Sequence, residues 1–140
     1  MALVAPMAEW HPLNRSVSSS PLTHNIICYH TMVGTLEGSW SWSNRAGGTY
    51  WHFGLGGDGE LWQCQDLRYK SAANLEGNWR CIPIETEDTN RGVFPTPYAN
   101  PLWTEAQLRK LAELTAWLCA RFNIPCRLVP NSRPEHRGIA

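Results

Sequence analysis

The chain lacks several features that would narrow its function at once. It carries no net charge, because 12 Lys and Arg balance 12 Asp and Glu. Broad electrostatic capture of nucleic acid or of an anionic membrane surface is therefore not expected. No stretch approaches the ~18 apolar residues of a membrane span. The first residues, MALVAPMAEWHPL, hold neither a basic n-region nor a continuous apolar core, so no signal peptide is expected. The five cysteines are odd in number and form no C-x-x-C pair. That disfavours a disulfide framework and a self-contained cysteine zinc site. There is no H-E-x-x-H motif, no internal repeat, and no low-complexity tract beyond the run SVSSS. A monomer made and folded in a reducing cytosol is the expectation.

What is present fits one domain. A length of 140 residues suffices for a single core, and 43% hydrophobic content is ordinary for a globular protein. Eight tryptophans are unusual, and several cluster in GSWSWSN and TYWHF. Aromatic-rich loops suit stacking on sugars or bases, whereas the same residues in a core would simply fill space.

Residues 1–23, with three prolines and the serine run, read as an irregular arm. NIICYH is a continuous apolar strand, as expected of a central one covered on both faces. TLEGSWSWSNRAGG opens at a plausible short helix and ends in a glycine turn. TYWHFGLGGDGELWQCQ is the clearest hairpin, with alternation on both sides of GGDGE. That glycine run joins two strands and so is not a phosphate loop, which needs a helix after it. DLRYKSAANLEGN reads as a loop with one helical turn, and WRCIPIETE as a strand. DTNRGVFPTPYANPLW, with three prolines, must be loop. The best helix follows: Thr104 is its N-cap, Glu105 and Gln107 lie in its first turn, and Leu108, Leu111, Leu114, Thr115 and Leu118 form its apolar stripe. Asn123 and Pro125 end it. CRLVP reads as a last strand and NSRPEHRGIA as a polar loop. Strands and helices mix along the chain, which predicts an α/β fold, a mixed central sheet flanked by helices.

His30, His52, Glu85 and His136 are the candidates for chemistry, each at or near a strand end or in the loop beyond. A lone strand-end histidine is either a quiet structural group or a metal ligand, and its partners decide. Glu85 ends an apolar strand, where partial burial would raise its pKa and suit it to general-base work. It could equally be a solvated acid beside Glu87 and Asp88. Cys28 and His30, two apart on one strand, share a face, so a cysteine nucleophile is a further option without a supporting signature.

The blocks IICYHTMVG, HFGLGGDGELWQCQDLRY, SAANLEGN, IPIETED and WTEAQLRKLAELTAWL…NIP, in that order, resemble the zinc-dependent type-2 N-acetylmuramoyl-L-alanine amidases, most closely the catalytic domains of bacteriophage endolysins and related actinobacterial proteins. The likeness spans residues 9–140, and the same fold family includes peptidoglycan recognition proteins, some of which bind without cutting. The resemblance implies a peptidoglycan hydrolase that cuts the amide between N-acetylmuramic acid and L-alanine, acting on the wall after release through a phage holin. It implies His30 as a zinc ligand, Glu85 as general base, and His52 beside the metal. It places Trp51 where related enzymes carry a tyrosine, and Asn78 in a loop near the substrate peptide. Trp40 and Trp42 are expected to be exposed and to stack on glycan rings. In the family the second zinc histidine follows a Gly-Ile-x-Tyr-His-Arg pattern. Here SRPEHRGIA runs to Ala140, so either His136 is a ligand or the C-terminal part of an amidase-like domain over residues 24–140 is missing. A non-catalytic peptidoglycan-binding module is the alternative.

Overall fold

The computed structural model describes residues 1–88 and 103–140. Its strands are β1 (Glu9–Trp10), β2 (Ile26–Met32), β3 (Phe53–Leu55), β4 (Leu61–Gln63), β5 (Cys81–Glu87) and β6 (Gly138–Ile139). Two α-helices, α1 (Leu36–Ser43) and α2 (Glu105–Phe122), and a 3-10 turn over Leu75–Gly77 complete the described elements. The strands form one mixed sheet in the order β1-β4-β3-β5-β2-β6. Only β3 and β4 run antiparallel, as the hairpin pattern predicts; the other neighbours are parallel.

Side-chain alternation sorts the sheet into two faces. Ile27, Ile82, Ile84, Phe53 and Leu55 pack against Leu111, Leu114 and Leu118 of α2. Each such side chain taken out of water contributes about 1.5–3 kcal/mol. Thr104 and Gln107 close a capping box at the start of α2, and Asn123 caps its end in the left-handed conformation (φ 51°). Leu108 departs from the expected stripe and is 47% exposed. On the opposite face, Met32, Leu36, Trp51, Trp62 and Cys64 make a second cluster, and Ile26, Cys28 and Cys81 a third.

Three features differ from the sequence expectation. The N-terminal arm is not wholly irregular: Glu9–Trp10 add an edge strand to β4, and Ala5 and Leu22 enter the main core. The last strand is Gly138–Ile139, not CRLVP, because Ile139 is buried in the core while Leu128 is 84% exposed and makes only an isolated bridge to it. The segment GSWSWS is helical, so Trp40 and Trp42 do not share a face. The proline-rich loop expected over DTNRGVFPTPYANPLW lies, for residues 89–102, outside the described residues.

Candidate active site

His30 and Glu85 are register partners on the neighbouring parallel strands β2 and β5. Partners in a parallel pair point to the same face, and strands lie about 4.8 Å apart. Their face is the one away from α2, since Tyr29 and Ile84, one residue earlier, pack toward that helix. The pair is braced from behind. Thr86 Oγ1 donates to the His30 carbonyl at 2.9 Å, and Trp103 Nε1 donates to Thr86 Oγ1 at 2.9 Å.

Each group has a tuned ionisation. Burial alone raises the Glu85 carboxyl from the usual 4.5 to about 7. Such a group is shared between acid and base forms at neutral pH, which suits proton transfer. Burial lowers the pKa of His30, so its imidazole is held neutral. Asn74 Nδ2 lies 3.0 Å from His30 Nε2, a contact in which the amide donates and the ring proton sits on Nδ1.

The floor beside Glu85 depends on a glycine. Gly54 of β3 is the register partner of Glu85 on its other side. A Cβ at position 54 would fall 2.5 Å from Trp51 Cη2 and 2.6 Å from Leu36 Cδ1. The indole of Trp51 thus covers the bare backbone of β3. From there a groove of about 550 Å3 opens, lined by Glu85, Trp51, Met32, Trp42 and Ser39 among others.

The remaining sequence candidates divide. Trp42 stands at the groove and is 56% exposed. Trp40 is half-buried instead: its ring meets His11 at 4.9 Å and Trp62 at 6.5 Å, so it helps hold the N-terminal arm. Asn78 points to the backbone, its Oδ1 accepting from Asn74 N at 2.7 Å. It therefore positions the residue that touches His30. His52 is wholly buried and is tied to the turn after β4 by a 2.8 Å bond from its Nε2 to the Tyr69 carbonyl. Burial pushes its pKa down to about 4, leaving a neutral structural ring. The structure does not bring His136 to His30. His136 lies two residues before Gly138, which pairs with Ile26 at the opposite end of β2. Four residues of strand, about 13 Å, separate Ile26 from His30. The Cys28 thiol is pushed well up by its hydrogen bond with Cys81 and by burial, the reverse of what a nucleophile needs. Asn74 was not singled out from sequence. An asparagine in a loop carries no periodic signal, and only the pairing of strands reveals its neighbour.

Among the described residues no group of three or more His, Cys, Asp and Glu could hold a metal ion. Residues 89–102 contain none of these types. The residues present therefore do not make up a catalytic zinc shell, which takes three protein ligands.

The family of N-acetylmuramoyl-L-alanine amidases matches residues 19–139. The chain belongs to this family. A search of curated protein sequences returns no match. Solved structures agree on the fold. The chain is similar to the amidase LysC from Clostridium intestinale, with 20% identity and a TM-score of 0.61 over 82% of this chain and 77% of that one. It is also similar to the Staphylococcus aureus hydrolase AmiA (18% identity, TM-score 0.70, 98% of this chain and 65% of that one). A third similar structure is Escherichia coli AmiD (16% identity, TM-score 0.60, 81% of this chain and 49% of that one), solved with anhydro-N-acetylmuramic acid-L-Ala-D-γ-Glu-L-Lys. No helix among the described residues is long and apolar enough to cross a membrane.

Proposed function

We infer that the protein cuts the amide bond between N-acetylmuramic acid and the L-alanine of the peptidoglycan stem, and so lyses cell wall. Family membership supports the reaction, and one geometric observation carries the assignment of roles: Glu85 lines an open groove, and His30 is its register partner on the adjacent parallel strand. Glu85 is the general base. Its carboxylate form takes a proton from the attacking water and returns it to the leaving amine, so no net proton is gained or lost by the side chain. The imidazole of His30, held by Asn74, lies on the same face of the sheet beside Glu85. Trp51 and Trp42 form the wall and rim against which the glycan or acyl part of the substrate would rest.

Zinc enters through the family. His30 is the imidazole that would serve as one ligand, but the described residues do not complete a shell around it. That incompleteness favours the second reading, a wall-binding module of the same fold that does not cut. The two are separated by release of L-alanine-terminated peptides from purified peptidoglycan, with and without added zinc. Glu85→Gln abolishes the release under the first reading. A variant that keeps more than about a tenth of the rate rules out Glu85 as base, because loss of a general base costs ~10²-fold or more. Binding to peptidoglycan with no release in either form establishes the module.

A further inference from the structure

All five cysteines are free thiols; Cys126 is exposed and the other four are buried. Two pairs of thiols touch. Cys119 and Cys126 are hydrogen-bond partners, and so are Cys28 and Cys81. Strand geometry sets the second pair aside. Cys81 pairs across the sheet with Ile26, and Cys28 with Pro83, so the two cysteines are diagonal neighbours. One strand spacing across and two residues along put their Cα atoms about 8 Å apart. A disulfide needs Cα atoms within about 7 Å, and both of these thiols are buried.

The first pair sits where α2 ends. Asn123, in the left-handed conformation, turns the chain back, and Ile124 N donates to the Cys119 carbonyl at 3.0 Å. Ile124 is thereby buried in the main core together with Leu118 and Cys119. Two residues further on, the thiol of Cys126 reaches that of Cys119. Tyr29 of β2 completes the cluster: it lies within electrostatic reach of both thiols, and its hydroxyl bonds to Thr115, one turn before Cys119 on the helix. The carbonyl of Arg127, next to Cys126, accepts from Ile139 N at 2.9 Å on the outer side of β6. A bond between the two sulfurs would tie the end of α2 to the segment that flanks this edge of the sheet. An odd cysteine count disfavours a framework of bridges, not a single one.

We propose that Cys119 and Cys126 form a disulfide by exchange with a small-molecule disulfide of the oxidised glutathione type, and that the bridge clamps the end of α2. Cys126 is the exposed thiol and attacks first. Its thiolate bonds to one glutathione sulfur, the glutathione disulfide breaks, and the other glutathione leaves as a thiolate that takes up the proton. The Cys119 thiolate then attacks the Cys126 sulfur of the mixed disulfide, and the second glutathione leaves in the same way. The two cysteines lose two electrons and two protons, and one glutathione disulfide gains them as two thiols. Burial first, and Cys126 second, push the Cys119 thiol up to about 11, so the second step is the slower. The chemistry is independent of the amidase reading; that reading takes the chain out of the reducing cytosol, to where a disulfide persists.

The test incubates the unaltered, folded chain with oxidised glutathione, then maps its thiols by alkylation and peptide mass spectrometry and records Tm before and after. A linked Cys119–Cys126 peptide is expected, with Cys28, Cys64 and Cys81 still free. Tm should rise by about 5–10 °C, as expected for closing a loop of this length, and dithiothreitol should reverse both changes. Cys119→Ala should stop at a mixed disulfide on Cys126, and Cys126→Ala should leave Cys119 unreacted. A mixed disulfide that persists on Cys126 in the unaltered chain, a bridge between Cys28 and Cys81 instead, or a Cys119–Cys126 bridge with unchanged Tm each overturns the proposal. Should Cys119→Ala fail to fold, the unaltered chain and the surface variant Cys126→Ala decide: linkage and a higher Tm in the first, with neither in the second, uphold it.

Discussion

The ring of Trp51 occupies the space that a side chain at Gly54 would need, 2.5 Å from the position of its missing Cβ. Gly54→Ala must therefore push the indole or Leu36 aside, in the strand that flanks Glu85. Overpacking of this kind costs about 1–3 kcal/mol. Denaturant unfolding should show a lower midpoint with an unchanged slope, and the tryptophan emission should shift in the folded state. An alanine variant as stable as the parent would mean that the indole is not packed on β3.

Glu85 links the site to pH. Its folded pKa of about 7 lies above the usual 4.5, so the neutral acid is the form the fold prefers. The stabilisation this provides is complete below pH 4.5 and is lost as pH rises toward and through 7. Glu85→Gln removes the loss. Relative to the parent, the variant should melt higher at pH 8 than at pH 5. A constant difference across that range would mean that the carboxyl is not raised.

His52 works in the opposite direction. Its pKa falls from 6.5 to about 4 because the ring is buried neutral. The unfolded chain thus binds a proton that the folded chain refuses between those values, and stability drops as pH falls from 6.5 to 4, by roughly 3 kcal/mol for one group. His52→Gln should flatten this acid limb in thermal melts, at some cost to stability at neutral pH. An acid limb as steep as the parent's would assign the loss to other groups.

Much of this arrangement can be read from residue types, and the part that cannot has a common cause. The hairpin of β3 and β4 follows from alternation on either side of a glycine turn, and α2 from its caps and apolar spacing. Glu85 at the end of an apolar strand is legible as a half-buried acid. The roles of His52, Asn78 and Trp40 are not legible, because each depends on which backbone carbonyl, amide or ring lies across the fold. GSWSWS shows the same limit. Alternating Trp and Ser suits an extended segment, yet Thr35 accepts from Gly38 N and begins a helix that turns the two indoles apart. Gly138–Ile139 is too short for any period to mark it as a strand.

Asn78→Ala tests the support beneath His30. It removes the acceptor of the Asn74 amide and should cost about 1 kcal/mol. With Asn74 loosened, the His30 ring loses the contact that raises its pKa and exchanges burial for water, so its titration by NMR should shift. A stability loss with no change at His30 would confine Asn78 to holding its own loop.

Zinc response separates the histidines. If His30 binds the ion weakly as a lone ligand, zinc at a concentration equal to its Kd adds only about 0.4 kcal/mol to stability. His30→Ala should abolish that small rise in Tm, and His136→Ala should leave it unchanged, since the two residues stand at opposite ends of β2. A large rise that disappears with His136→Ala would join them in one site.

The sheet ends on both sides in very short strands, and this bears on how the protein behaves at high concentration. β1 and β6 hold only two residues each, and the segment around Val129 and Arg127 already bonds to the outer side of Ile139. A second molecule seeking to extend the sheet would find almost no open ladder to copy. Edge-to-edge aggregation is thus discouraged by the same two-residue strands that carry the chain onto and off the sheet.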